Sequence, residues 1–485
     1  MDQTAQKCRS CIFSESCLLP HPAIIHRLAD FANGLTLADI PERVRRQGAL
    51  TLLDTVGCMI AGSVTAEAKL LQEAEDMPGP ASVLGSGLRL TTRAAARVNG
   101  YMGDIFEIND LTGGHAGIGN VAAALAAAET EGASGEDLLV ATIAGVEVTT
   151  RIYDMFYPKL KPYSECGMVP VGLPSAVGAA AAAGRLFGLD RLQLREALAI
   201  AAALAGWCPA ETIFGKGSTI KPMLFGASPA HTGLLAASYA RAGLSGPAEI
   251  LESPIGYFAT VARGFSPGEF GTDHWALARP RRKLHACCGY IHSAIDAVVS
   301  LRQRDPQALS DARAIEVAMP AYVMPAVVKD GPPRTSNEAR FHTRFCLAVA
   351  ASGATAILPD HSERFAAHLA DPAVAHAYAR IHIVADPTLD HYHRTIVRVE
   401  DVAGKRLESR NDAPRGSPDN PLSDEEVIAK FEGLAGPVFG AARSARTRDL
   451  LLAVEAEQSL IPLFEQLRGA NDHRPRARVA AALGV

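Results

Sequence analysis

The chain is 485 residues long, more than a single hydrophobic core usually serves, so two domains are expected. Lys plus Arg number 47 against 52 Asp plus Glu, a net charge of −5 with no long basic block, and this excludes the electrostatic footprint of a nucleic-acid binder. The apolar stretch Gly172 to Leu189 is mostly Ala and Gly and is interrupted by Pro174 and Arg185, which excludes a membrane span and leaves a buried helix that neighbours can approach closely.

In chain order, Met1 to Pro20 is polar, lacks the apolar run of a signal peptide, and reads as a mobile tail over 1–20. Its Cys8, Cys11 and Cys17 have a C-x2-C-x5-C spacing that could serve zinc or an iron-sulfur cluster, but no fourth ligand lies nearby, His21 and His26 being poorly spaced for it. Nine cysteines without a secretory signal point to reduced thiols in a cytoplasmic setting.

From His21 to about Leu251 the pattern is helical. Ile24, Ile25, Leu28, Phe31 and Ala32 mark an amphipathic helix, Pro41 opens the next, and Leu50 to Ala61 continues it with one buried face. Asn99 to Phe106 runs into Glu107 to Gly117, where the periodicity stops; Val121 to Glu131, Asp137 to Arg151, Val177 to Phe187, Leu192 to Leu204 and Gly233 to Ala242 then read as helices. The glycine-broken loop Phe214 to Pro222 lies among them. Beyond Gly271, residues Ala314–Met319, Ile381–Val384 and Thr395–Val399 alternate as strands, with helices at Tyr290 to Arg304 and Ala339 to Ser352. Ser423 to Glu426 is a capping signature, and Leu450 to Leu467 reads as one long amphipathic run. The expected fold is therefore mainly α: a large all-helical domain built from both chain ends, 21–271 and 411–485, with a smaller α+β domain inserted at 272–410.

Three loop-borne clusters hold residues suited to chemistry: Asp110 with His115, Lys216 with Lys221, and Arg281, Arg282 and Lys283 ahead of His285, Cys287, Cys288 and His292. Asp110 and His115 can be an acid/base pair beside glycines that admit a ligand, or an Asp cap with a hydrogen-bonded turn histidine. The Gly-Lys-Gly around Lys216 lacks the spacing of a phosphate loop. Arg281, Arg282 and Lys283 suit carboxylates, which arginine grips bidentately and lysine neutralises as a point charge. The adjacent thiols read as packing residues, poorly placed for one zinc ion, and His292 with Asp296 as a local helical pair.

Leu53 to Cys58, Glu107 to His115, Gly178 to Asp190, Lys221 to Ala237, Ile250 to Glu252 with Gly256 and Tyr257, and Arg282 to Ala297, taken in this order and spacing, resemble the MmgE/PrpD family of polycarboxylate dehydratases, decarboxylases and epimerases. The resemblance runs from about His21 onward. It implies a helical domain with an α+β lid, a site in the cleft between them, a homodimer, and no required cofactor or metal. It carries the family's site positions onto Asp110, His115, Lys221 and Lys283, although the chain has an extra residue before Gly233. Tyrosine stands in the nearest version of the last segment where this chain has His285. A further family histidine falls at Val169, with Tyr163, Glu165 and Cys166 as the neighbours that could replace it.

The resemblance thus implies a carbanion beside a carboxylate, stabilised by Lys221 and Lys283, with His115 carrying the proton and Asp110 orienting it. Thr112, Lys216, Arg282, His285 and Tyr163 are the expected substrate contacts. The expectation is a cofactor-independent lyase, dehydratase or decarboxylase, acting on a small di- or tricarboxylic acid. Val169 leaves an epimerase of a dicarboxylate such as iminodisuccinate as the rival, and an inactive binding protein as a third reading.

Overall fold

A computed structural model describes residues 22–214 and 218–469. The expectations for the tail 1–20 with Cys8, Cys11 and Cys17, for Lys216, and for residues beyond 469 lie outside the described residues.

The protein is mainly α. Helix Ile24–Gly34 buries Ile25, Leu28, Phe31 and Ala32, the spacing that predicts it. Helix Glu42–Gly62 follows Pro41 and is buried over nearly all of its second half. Helices Thr92–Asp104, Ala116–Glu131, Gly135–Phe156, Gly172–Leu186, Arg191–Leu204 and Ser228–Arg241 complete the first half of the chain. Their contacts are made largely by Ala and Gly, so the backbones approach closely. One close approach sets Gly100 of helix Thr92–Asp104 against Gly226, where a Cβ on Gly100 would lie 2.6 Å from the Gly226 carbonyl oxygen. Gly226 belongs to a π-turn, Met223–Ala227, at the head of helix Ser228–Arg241. A widened turn of this kind places side chains that a regular helix would not.

Two features of the helical half differ from the sequence reading. A short antiparallel pair, β1 (Pro78–Ser82) with β2 (Arg89–Leu90), interrupts the helices, and Pro- and Gly-rich β1 carries no alternation that could signal it. The run Leu450 to Leu467 is not one helix: helix Ala441–Leu452 ends, and Ile461–Leu467 starts afresh with proline in its first turn. Pro462 has no N–H to continue a helix.

A mixed sheet follows with order β4-β3-β5-β6: β3 (Ala312–Met319), β4 (Ile381–Ala385), β5 (Thr395–Asp401) and β6 (Arg406–Asn411), with β3 and β4 parallel and the other pairs antiparallel. Edge strand β6 escaped prediction because charges outweigh its apolar content; Glu408 pairs with Arg398 at 2.9 Å across the ladder. Helix His292–Arg304 packs on this sheet, and Thr343–Ala351 packs on that helix.

The chain then returns to the helical half. Ser423 caps helix Asp424–Phe439 in a reciprocal box with Glu426. This helix lies along Glu42–Gly62, and its Lys430 ammonium meets the Asp54 carboxylate at 2.7 Å. One buried apolar cluster therefore joins residues from Ile25 to Ala286 with residues from Leu422 to Leu467, and another runs from Cys287 to Val399. Among the described residues no single helix is long and apolar enough to cross a membrane, and six cysteines are unpaired.

The Gly100–Gly226 contact gives a direct check. Gly226→Ala would press a methyl into the Gly100 backbone, so its urea midpoint should fall by the equivalent of about 2–3 kcal/mol, the upper range for overpacking.

Candidate active site

A cleft that encloses about 730 Å³ with its open mouth included lies where the two clusters meet. Glu107, His115, Lys221 and Phe225 enter it from the helical half, and Cys288, Tyr290, Phe341 and Tyr392 from the other side, with Arg281 at the junction.

Two of four buried charges, Glu107 and Lys221, form its floor, and the other two lie directly behind them. Asp104 ends helix Thr92–Asp104, and both its oxygens receive the Lys221 ammonium, at 2.9 and 2.8 Å. Lys221 also pairs with one oxygen of Glu107. The other Glu107 oxygen lies 2.6 Å from the Lys283 ammonium, which donates a further bond of 2.8 Å to the Glu107 carbonyl. Carboxylate and ammonium thus alternate along Asp104, Lys221, Glu107 and Lys283, and each interior charge has an opposite neighbour on both sides. Burial opposes the ammonium form, pushing Lys221 down to about 8 despite the attraction of Asp104, and pushing Lys283 below the ordinary lysine range. The Lys221 ammonium also sits 4.3 Å from the centre of the Phe225 ring.

The loop over this floor is bent sharply. Among the described residues only Glu107 (φ 54°) and His115 (φ 79°) are non-glycine residues with positive φ, and both side chains line the cavity. Such backbone is uncommon and costs energy, so it persists where the surroundings impose it. Gly113 and Gly114 (φ 52° and 70°) lead into His115, and Cβ atoms there would strike Thr150 and Tyr153. Three successive left-handed residues turn the imidazole off the start of helix Ala116–Glu131 and into the cavity.

The hydrogen bonds around Asn109 set the state of that imidazole. The Asn109 amide nitrogen bonds to Asp104, an acceptor, so its oxygen faces His115, whose Nδ1 donates to it at 2.6 Å. Nε2 is then the unprotonated nitrogen. Burial, helped by the Lys283 charge, holds His115 neutral, well below the usual histidine range.

Several expected residues sit elsewhere. Asp110 does not orient His115: it accepts from the Gly117 N–H at 3.0 Å, because the loop turns its side chain under the helix start, and Asn109 takes the orienting place. Thr112 is buried and its hydroxyl accepts the Arg281 N–H at 3.0 Å, stapling the loop rather than meeting the cavity. Arg282 points away, to the Gln47 side chain at 2.6 Å and the Thr51 hydroxyl at 3.1 Å. His285 is fully buried, with Nε2 on Asp296 at 3.0 Å and Nδ1 accepting the Ile357 N–H at 3.2 Å. Asp296 is therefore the partner of His285 and not of His292, whose Nε2 meets the Cys287 carbonyl at 3.2 Å. Lys283 lies behind Glu107, outside the cavity lining.

Tyr163 does face the cavity, with its hydroxyl 3.3 Å from that of Tyr290, and so does Val169. Cys287 is core, whereas Cys288 touches the cavity with its thiol raised by burial. Sequence reading singled out Tyr163 but missed Glu107, Asp104, Asn109, Tyr153, Tyr157, Tyr290 and Tyr392. Glu107 sat in the segment already singled out, but only the backbone reversal there decides which of its polar side chains turn inward. Arg281, one of three adjacent cations, is the one whose guanidinium reaches the cavity, with no carboxylate at ion-pair distance among the described residues.

Comparison with known proteins gives a consistent result. Residues 26–269 match the model of the MmgE/PrpD N-terminal domain and residues 285–456 that of the C-terminal domain. The chain is similar to a cis-aconitate decarboxylase of Aspergillus terreus, 26% identical over 483 residues, covering 92% of this chain and 96% of that protein. It is similar to a cis-aconitate decarboxylase-like protein of Aspergillus oryzae, 26% identical over 93% of this chain and 98% of the relative, and to the Homo sapiens cis-aconitate decarboxylase, 29% identical over about half of each chain.

Two measurements check this electrostatics. Glu107→Gln leaves two buried ammoniums without their shared carboxylate and should lower stability at pH 7 by about 3–5 kcal/mol in urea denaturation. Burial, with the nearby Asp54 charge, raises Asp110 from 3.8 to about 7, so the folded state holds a proton that the unfolded state releases. Its contribution is complete below about pH 4 and lost as pH rises through about 7. The urea midpoint of Asp110→Asn should therefore fall less between pH 5 and pH 8 than that of the native protein.

Proposed function

The chain belongs to the MmgE/PrpD family, and on that premise we propose that it is a lyase that decarboxylates a small di- or tricarboxylic acid. The observation that carries this is the single imidazole of the cavity: among the described lining residues His115 is the only histidine, and Val169 stands where the family resemblance puts another. Dehydration needs one group to take a proton and another to protonate the departing hydroxide, and epimerisation needs groups on both faces of one carbon. Decarboxylation needs only one proton donor. The phenols of Tyr153, Tyr163 and Tyr290 are raised by burial, so they serve as neutral hydrogen-bond donors and are poor bases. The relatives named as cis-aconitate decarboxylases support the same reading.

In the proposed reaction Arg281 holds one substrate carboxylate bidentately. A second carboxylate leaves as carbon dioxide from the apolar side, where water is excluded. The bond's electron pair passes to the adjacent carbon framework, conjugated with a remaining carboxylate that Lys221 stabilises, with Lys283 supporting Lys221 through Glu107. Bound substrate charge favours imidazolium at His115, which gives its Nε2 proton to carbon and regains one from water. The α+β module acts in this proposal as the lid over the cavity.

Incubation with cis-aconitate, and with unsaturated dicarboxylates bearing an alkyl or phenyl substituent, in deuterated water, followed by proton NMR, tests the reading. Carbon dioxide release from at least one of these, with one solvent deuterium in the product, is expected. Deuterium exchange without loss of substrate would identify an epimerase instead. His115→Ala should lower kcat by about 10²–10⁴-fold, and activity should decline above about pH 8 as Lys221 loses its proton.

A further inference from the structure

We infer that the substrate is a dicarboxylate carrying an apolar substituent about the size of a phenyl ring or short alkyl chain, and not a compact tricarboxylate. The inference rests on the carboxylate-lyase reading and narrows its substrate.

The first ground is charge. Among the described lining residues the cations are Lys221 and Arg281, and Glu107 is an anion. Lys221 is already shared between Asp104 and Glu107, and Lys283 behind them is taken up by Glu107. The row of two ammoniums and two carboxylates is neutral by itself, which leaves Arg281, whose charge also acts on Asp154, as the positive charge that the other described lining residues add. A trianion placed here would bury at least one carboxylate without a counter-charge among the described residues, and a buried unpaired charge is strongly disfavoured. Two carboxylates suffice for the site: one held by Arg281 and stabilised by Lys221, and one that leaves as neutral carbon dioxide.

The second ground is the opposite wall. Val169, Val171 and Phe225 belong to one buried apolar cluster with Ile213 and Tyr163 packed against it, and all five line the cavity. The patch begins at the reacting groups, because the Phe225 ring lies 5.1 Å from the His115 ring and 4.3 Å from the Lys221 ammonium. Phe341 and Leu111 extend the apolar surface from other sides. Against Val169, Val171, Ile213 and Phe225 a charged substrate arm would lose hydration and gain no counter-charge, whereas an apolar group removes both surfaces from water. Val171 and Val169 sit either side of Pro170 in the turn that starts helix Gly172–Leu186, and Val169 is pinned by its N–H to the Cys208 carbonyl at 2.8 Å, so the wall is preformed.

Calorimetric titration of the full-length protein with three non-reactive probes, succinate, phenylsuccinate and propane-1,2,3-tricarboxylate, tests the inference. Phenylsuccinate should bind at least about tenfold more tightly than succinate, in the range that one well-buried apolar group supplies. The tricarboxylate should bind no more tightly than succinate. Val169→Thr, which keeps the size of the side chain and puts a hydroxyl in the wall, should narrow the phenylsuccinate-to-succinate ratio. A smaller ratio in the native protein, or a tricarboxylate that binds most tightly, overturns the inference and leaves the lyase reading standing. Failure of all three probes to bind overturns the carboxylate site and the lyase reading together.

Discussion

The alternating row of Asp104, Lys221, Glu107 and Lys283 is the constraint on which the rest of the site depends. Two ammoniums and two carboxylates taken out of water would each be costly alone; arranged in alternation each is paired. The row also binds distant parts of the chain. Asp104 ends one helix, Lys221 precedes the π-turn that opens another, Lys283 enters the α+β module, and Glu107 joins the two lysines from the loop between them. Moving any of these segments breaks a buried pair.

The scaffold serves this row by being tightly packed and small-sided. Ala and Gly at the helix contacts let the Gly100 and Gly226 backbones touch, which brings Asp104 and Lys221 within hydrogen-bond reach. The C-terminal return supports the same region from beneath: Lys430 pairs with Asp54 and donates to the Ile108 carbonyl at 2.6 Å, one residue from Glu107. With that support the loop holds two left-handed non-glycine residues, Glu107 and His115, and turns both side chains into the cavity. The relay from Asp104 through Asn109 then fixes which nitrogen of His115 is free, so the floor that neutralises charge also sets the proton carrier.

Much of the scaffold was legible because it rests on local periodicity. The spacing of Ile25, Leu28 and Ala32, the capping signature at Ser423 and the alternation in β3 and β5 each have a short-range cause. The misses have one too. β6 has a single leucine among charged and polar residues, β1 is Pro- and Gly-rich, and the proline at 462 restarts a helix where apolar spacing alone continued it. In the site, His115 and Lys221 could be singled out as polar groups in glycine-broken loops, but not which of Asp110 and Glu107 would face the cavity, nor which of three adjacent cations.

The sequence by itself determined the mainly helical fold, the family and the segments that make the site, because each is written in residue type and spacing along the chain. Only the tertiary structure decided the roles within those segments. Asn109 rather than Asp110 orients His115, Arg281 rather than Arg282 reaches the cavity, and His285 is committed to Asp296. The reason is geometric: neighbouring side chains differ by the direction the backbone gives them, and that direction is set by contacts between segments more than a hundred residues apart.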